Sequence, residues 1–93
     1  MLETTRVLNE IADSETFGSF YKIAKFLEVT PSYMYQVKYD AKISDKNLLR
    51  IADAMEMNPM ALIAMKNMDK AKDNESREFW RKIYESSDLY YRK

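Results

Sequence analysis

The chain has 93 residues, 15 basic and 15 acidic side chains, and neither Cys nor His. That inventory predicts one small domain and excludes disulfides, thiolate or histidine catalysis and Cys- or His-based metal sites. One Gly and two Pro leave no glycine-rich phosphate loop, and together with many Ala, Leu, Met, Lys and Glu they predict an all-α domain of five or six helices.

No apolar run is long enough for a spanning helix, and Met1-Leu2-Glu3-Thr4-Thr5-Arg6 is not followed by the apolar core of a signal peptide. The expectation is a soluble, cytoplasmic protein without membrane contact. Leu2, Val7, Leu8, Ile11 and Ala12 predict a first amphipathic helix over about residues 2–13, interrupted by Asp13-Ser14-Glu15 and Gly18. Ser19 can cap a second helix, whose Phe20, Ile23, Ala24 and Leu27 fall on one face. Thr30-Pro31 is the clearest start signal, a capping residue followed by a proline that gives up no hydrogen bond at the first helical position. This third helix is expected to reach about Tyr39.

Ser44 caps a fourth helix with an apolar face of Leu48, Leu49, Ile51, Ala52 and Met55. Asn58-Pro59 repeats the cap-and-proline pattern, opening a fifth helix with Met60, Leu62, Ile63, Met65 and Met68. This methionine-rich stretch reads as core, since thioethers without His or Cys make a poor metal box. Residues 70–76 are polar and contain a turn. Phe79, Trp80, Ile83 and Tyr84 then form two i, i+4 pairs on a last helix, and Tyr90 to Lys93 is expected to fray.

The informative arrangement is the second and third helices, separated only by Glu28-Val29-Thr30. Ala24 permits a close helix approach, Val29 plugs the turn, and Met34 and Val37 point inward. This is a helix-turn-helix pattern, whose second helix can enter a major groove. From about Phe20 to Leu62 the chain resembles the Cro/CI-type phage repressor family. The resemblance rests on Ile23-Ala24, Leu27, Val29-Thr30, Met34, Val37, the run Leu48 to Met55, and Asn58-Pro59-Met60-Ala61-Leu62. Two positions depart from it. Glu28 stands where the family usually has Gly, so a different turn is expected. After the reading helix, where Gly is also common, Asp40 is the better left-handed residue and Ala41 the poorer.

The resemblance implies a sequence-specific DNA-binding regulator, a phage-type repressor acting as a homodimer on a palindromic operator in a bacterial cytoplasm. From the residue inventory, which builds no nucleophile–base pair and no metal site, no catalysis, cofactor or metal is expected. Residues 1–69 would form the reading domain and 70–93 a helical extension for dimerisation. Base reading falls on Pro31, Ser32, Tyr35 and Gln36, of which Gln36 can pair in two places with adenine. Phosphate contacts fall on Ser19, Lys22, Tyr33, Lys38, Tyr39 and Lys42. The tail beyond about Asp69 has no counterpart in the minimal family domain; its Phe79, Trp80, Ile83 and Tyr84 must bury one face, expected as a dimer contact, the alternative being packing back on their own domain. Charge agrees in sign: residues 20–50 hold six basic and three acidic residues, against one and four in 1–19 and eight of each in 51–93. The alternative is an antitoxin or phage-encoded adaptor whose helix-turn-helix holds a protein partner, favoured by the zero net charge and the many tyrosines.

Overall fold

A computed structural model describes residues 2–90. The fold is all-α: α1 (Glu3–Ala12), α2 (Phe20–Leu27), α3 (Pro31–Asp40), α4 (Asp45–Met55), α5 (Pro59–Lys70) and α6 (Asn74–Ser86). They form two compact units, Met1–Lys42 with α1 to α3 and Ile43–Lys93 with α4 to α6.

Each predicted cap closes a helix start. The side chains of Ser19, Thr30, Ser44 and Asn58 accept from the amides of Lys22, Tyr33, Asn47 and Met60. Asp73 does the same for α6, accepting from the Ser76 amide at 2.7 Å and its hydroxyl at 2.9 Å. Proline occupies the first position of α3 and α5, where its missing N–H has no intrahelical acceptor to lose.

The helix ends are unusual. α2, α3 and α4 stop at Glu28 (φ 60°), Ala41 (φ 58°) and Glu56 (φ 55°), all left-handed. That region ordinarily favours glycine, and each costs about 1–2 kcal/mol in steric strain. The sequence reading is corrected twice here. Glu28 takes the glycine-type conformation instead of forming a different turn. Asp40 stays helical, and Ala41 takes the left-handed position. The reason lies in their side chains. The Ala41 methyl is fully buried, while the Asp40 carboxylate reaches forward to accept the Lys42 amide at 2.9 Å.

In the first unit, Val7, Leu8, Ile11, Ile23, Ala24, Leu27, Met34 and Val37 are buried. Phe17 joins them from the interrupting segment, its ring edge-on to Phe26 with centroids 5.3 Å apart. In the second unit, Leu48, Ile51, Ala52, Met57, Ala61, Leu62, Ala64 and Met65 are buried. Of the core predicted for this unit, Met55, Ile63 and Met68 are only half-buried, and two residues are exposed, Leu49 at 49% and Met60 at 57%. Lys66 is buried instead, and its ammonium pairs with the Asp45 carboxylate at the start of α4. Tyr90 is not frayed. It bridges antiparallel to Met57, and the Asn58 amide donates to the Leu89 carbonyl at 2.8 Å. The remainder of that expectation, Tyr91 to Lys93, lies outside the described residues.

Two stability predictions follow from this geometry. Glu28→Gly and Glu56→Gly should each add roughly 1 kcal/mol, raising Tm by a few degrees in thermal unfolding, whereas Ala41→Gly should gain less because it deletes a buried methyl. Asp45→Ala, which strands the Lys66 charge, should cost about 1–3 kcal/mol, while Lys66→Met should keep most of the wild-type stability in urea unfolding.

Candidate nucleic-acid interface

The joint between α2 and α3 is built from backbone hydrogen bonds. The Glu28 amide donates to the Lys25 carbonyl at 3.2 Å and the Val29 amide to the Ala24 carbonyl at 3.0 Å. This double closure around a left-handed residue satisfies carbonyls that the helix end would leave open. Thr30 follows in extended conformation, and its hydroxyl accepts the Tyr33 amide at 3.1 Å to start α3. Ala24, Met34 and Val37 are buried between the helices, and Val29 is half-buried in the turn. The far end of α3 is tied to α1 by the Thr5 hydroxyl, which donates to the Lys38 carbonyl at 2.6 Å.

With Met34 and Val37 inward, the opposite side of α3 faces solvent. Pro31, Ser32, Tyr35, Gln36 and Tyr39 are all exposed, Tyr35 at 53% and Tyr39 at 80%. Ser32, Tyr35, Gln36 and Tyr39 recur at i, i+3, i+4 and i+7, which is one stripe of a helix. Three of the four residues assigned to base reading, Ser32, Tyr35 and Gln36, therefore share this stripe with Tyr39, while Pro31 is exposed beside it at the helix start. Tyr33 lies off it and is half-buried.

Two of these polar side chains are held before any ligand arrives. The Gln36 carboxamide donates through Nε2 to Asp40 Oδ2 at 3.1 Å. Asp40 is in turn held below the usual carboxylate range, first by the hydrogen bond from the Lys42 amide and then by Gln36 and the Lys42 charge. Lys38 is half-buried with Nζ 5.4 Å from the Phe20 ring centroid, and the Tyr35 ring centroid lies 6.3 Å from that of Phe20. A cation over an aromatic face is attracted by the ring quadrupole, so Lys38 is a tethered charge. Lys22 and Lys42 are exposed. Ser19 is half-exposed at the start of α2, where the first amides of the helix have no intrahelical acceptor. Glu28 is exposed in the turn and lowers the positive charge of this surface.

Sequence reasoning did not assign Asp40 to Gln36 or Phe20 to Lys38. The first was available as a Gln–Asp i, i+4 spacing; the second joins two helices and carries no local signal.

The residues assigned to dimer contact lie in the other unit, on α6. Phe79 is 58% exposed, and Trp80, Ile83 and Tyr84 are half-buried. No protein-family model, curated protein or solved structure matches this chain.

The Asp40 geometry gives a pH prediction. A carboxylate whose folded-state pKa is depressed contributes stability above its unfolded value and loses that contribution as pH falls through the folded one. Asp40→Asn should therefore lower stability at neutral pH, and the difference from wild type should close as pH drops below about 4, as read by urea unfolding across pH.

Proposed function

We propose that the chain is a sequence-specific double-stranded DNA-binding regulator of transcription, a phage-type repressor that acts as a homodimer on a palindromic operator. The observation that carries this reading is the outward stripe of α3, in which Ser32, Tyr35, Gln36 and Tyr39 share one exposed face while Met34 and Val37 fix the helix on α2. A helix held this way can lie in a major groove with its first turns against base edges.

Gln36 supplies the strongest discrimination. Asp40 engages one of its two Nε2 hydrogens; the other hydrogen and Oε1 remain for N7 and N6 of adenine. Pro31 offers an apolar contact, for instance to a thymine methyl, and Ser32 a weaker polar one. Lys22, Lys42 and the start of α2 at Ser19 hold phosphates and set the register, with Lys38, Tyr33 and Tyr39 at the flank. With so few cations, one copy binds weakly at physiological salt, and two half-sites read by a dimer are the remedy. Repression follows from occlusion of a promoter.

The exposure of Tyr21 (58%), Tyr35 and Tyr39 favours a second reading, an antitoxin or phage-encoded adaptor whose α2–α3 surface holds a protein. Selection of duplexes from random DNA at two salt concentrations separates the two. The expected result is an enriched palindrome. Gln36→Ala should cost about 1–3 kcal/mol on that sequence and relax preference at one base pair. Lys42→Ala should weaken all duplexes alike and make the salt dependence shallower by about one unit of slope. Equal losses for Gln36→Ala on selected and random duplex would remove its reading role. No enrichment, with weak binding that salt abolishes, would favour the protein partner.

A further inference from the structure

Helix α6 has no fully buried residue. Its half-buried Ser76, Trp80, Ile83, Tyr84 and Ser87 fall on one side, and α6 packs on α5. An adjacent face, about 110° around the helix, carries Glu75, Phe79, Lys82 and Ser86, at i, i+4, i+7 and i+11, and all four are exposed. Phe79 stands at the middle of this stripe, and its ring is held edge-on by Trp80, with centroids 5.1 Å apart and planes at 83°. A rigidly supported aromatic loses little side-chain entropy on docking.

The charges around it are arranged in a way that fits one partner above others. Arg81 is satisfied within the helix, by Glu78 and by Glu85 at 2.8 Å. Among the described residues, neither Glu75 nor Lys82 forms a salt bridge. At the helical rise, Glu75 lies about 6 Å before Phe79 and Lys82 about 4.5 Å after it. A second α6 running antiparallel, with Phe79 on the two-fold axis, therefore brings each Glu75 to nearly the level of the other Lys82. A parallel pairing would set like charge against like. Beside Phe79 a shallow groove is lined by Asp73, Glu75, Ser76, Phe79 and Trp80, an acidic rim suited to an incoming lysine. Ser86, at the end of the stripe, is small enough for a close approach.

We propose that this stripe is a self-association surface, on which a second copy of the chain lays its own α6 antiparallel, Phe79 against Phe79 and Glu75 opposite Lys82 on both sides of the axis. Such a contact is isologous, so every pairing occurs twice and one substitution acts twice. It extends the expected dimer patch, since the exposed charges provide the register and Phe79 alone of that patch is more than half exposed.

Sedimentation equilibrium of the full chain, without DNA, tests the proposal, and its outcome is independent of the reading of α3. Wild type should show a monomer–dimer equilibrium, with a dissociation constant on the order of ten to a hundred micromolar for a contact this small. Phe79→Ser should abolish it with the helical circular dichroism unchanged. Glu75→Lys and Lys82→Glu should each weaken self-association at least about tenfold, because each sets two like-charge pairs across the axis. An equimolar mixture of these two variants should recover association, because both contacts across a mixed pair are then between opposite charges; misfolded variants would not recover. The proposal is overturned by a wild type that stays monomeric at about 0.5 mM, by association that Phe79→Ser leaves intact, or by a mixture no better than its components.

Discussion

The short joint between α2 and α3 depends on Glu28 adopting a conformation that disfavours it. Three residues must reverse the chain closely enough for Ala24 to let the helices meet over Met34 and Val37. A left-handed residue closes the end of α2 while two carbonyls of its last turn, on Ala24 and Lys25, are satisfied. The strain at Glu28 is offset by those two hydrogen bonds and by burial of the apolar seam. A chain with a single glycine meets the same need again at Ala41 and Glu56. Everything the outward side of α3 presents is set by that joint, because the rotation that buries Met34 and Val37 also turns Gln36 and Tyr35 out.

The exposed surface is sparse in charge but restrained in geometry. Lys38 is held on Phe20 and Gln36 on Asp40, so less rotamer freedom is lost on binding than for free side chains. The same restraint has an opposing consequence. Asp40 places a carboxylate at the end of α3, and Glu28 adds another in the turn, so this surface repels phosphates at two points while Lys22 and Lys42 attract them. Electrostatics of this kind contributes little non-specific affinity. On the proposed reading, affinity would have to come from shape, from base contacts and from doubling.

Much of the fold was legible because helix starts are local. Ser19, Thr30-Pro31, Ser44 and Asn58-Pro59 each announce a start within two residues, and the chain obeys all of them. What was not legible came from geometry that spacing alone does not resolve. Leu49 sits a hundred degrees around the helix from Leu48, away from the face shared by Ile51 and Ala52, and so is exposed. Met60 lies across its helix from Met65. Lys66 occupies a core position because a carboxylate from α4 reaches it, a pairing 21 residues away in sequence. The exchange of roles between Asp40 and Ala41 was hidden for a related reason. Intrinsic tolerance favours Asp in the left-handed region, but burial of a methyl and capture of the Lys42 amide together outweigh it. At the candidate site the exposed stripe of α3 was readable from the inward pair Met34 and Val37, whereas the restraint of Lys38 by Phe20 needed the packing of two helices.

The proposed reading surface and the proposed self-association surface make different physical demands and lie in different units. On α3 the exposed groups are polar or amphipathic, which suits a wet, directional contact whose value lies in discrimination. On α6 one rigid aromatic is flanked by opposite charges, which suits a contact with a copy of itself whose value lies in register. A weak symmetric contact becomes effective once both copies are engaged on one duplex, because the second binding event then proceeds at a high effective concentration. Weakness in the free state is then an advantage. If α3 reads DNA as proposed, affinity for paired sites would then rise steeply with the concentration of the chain.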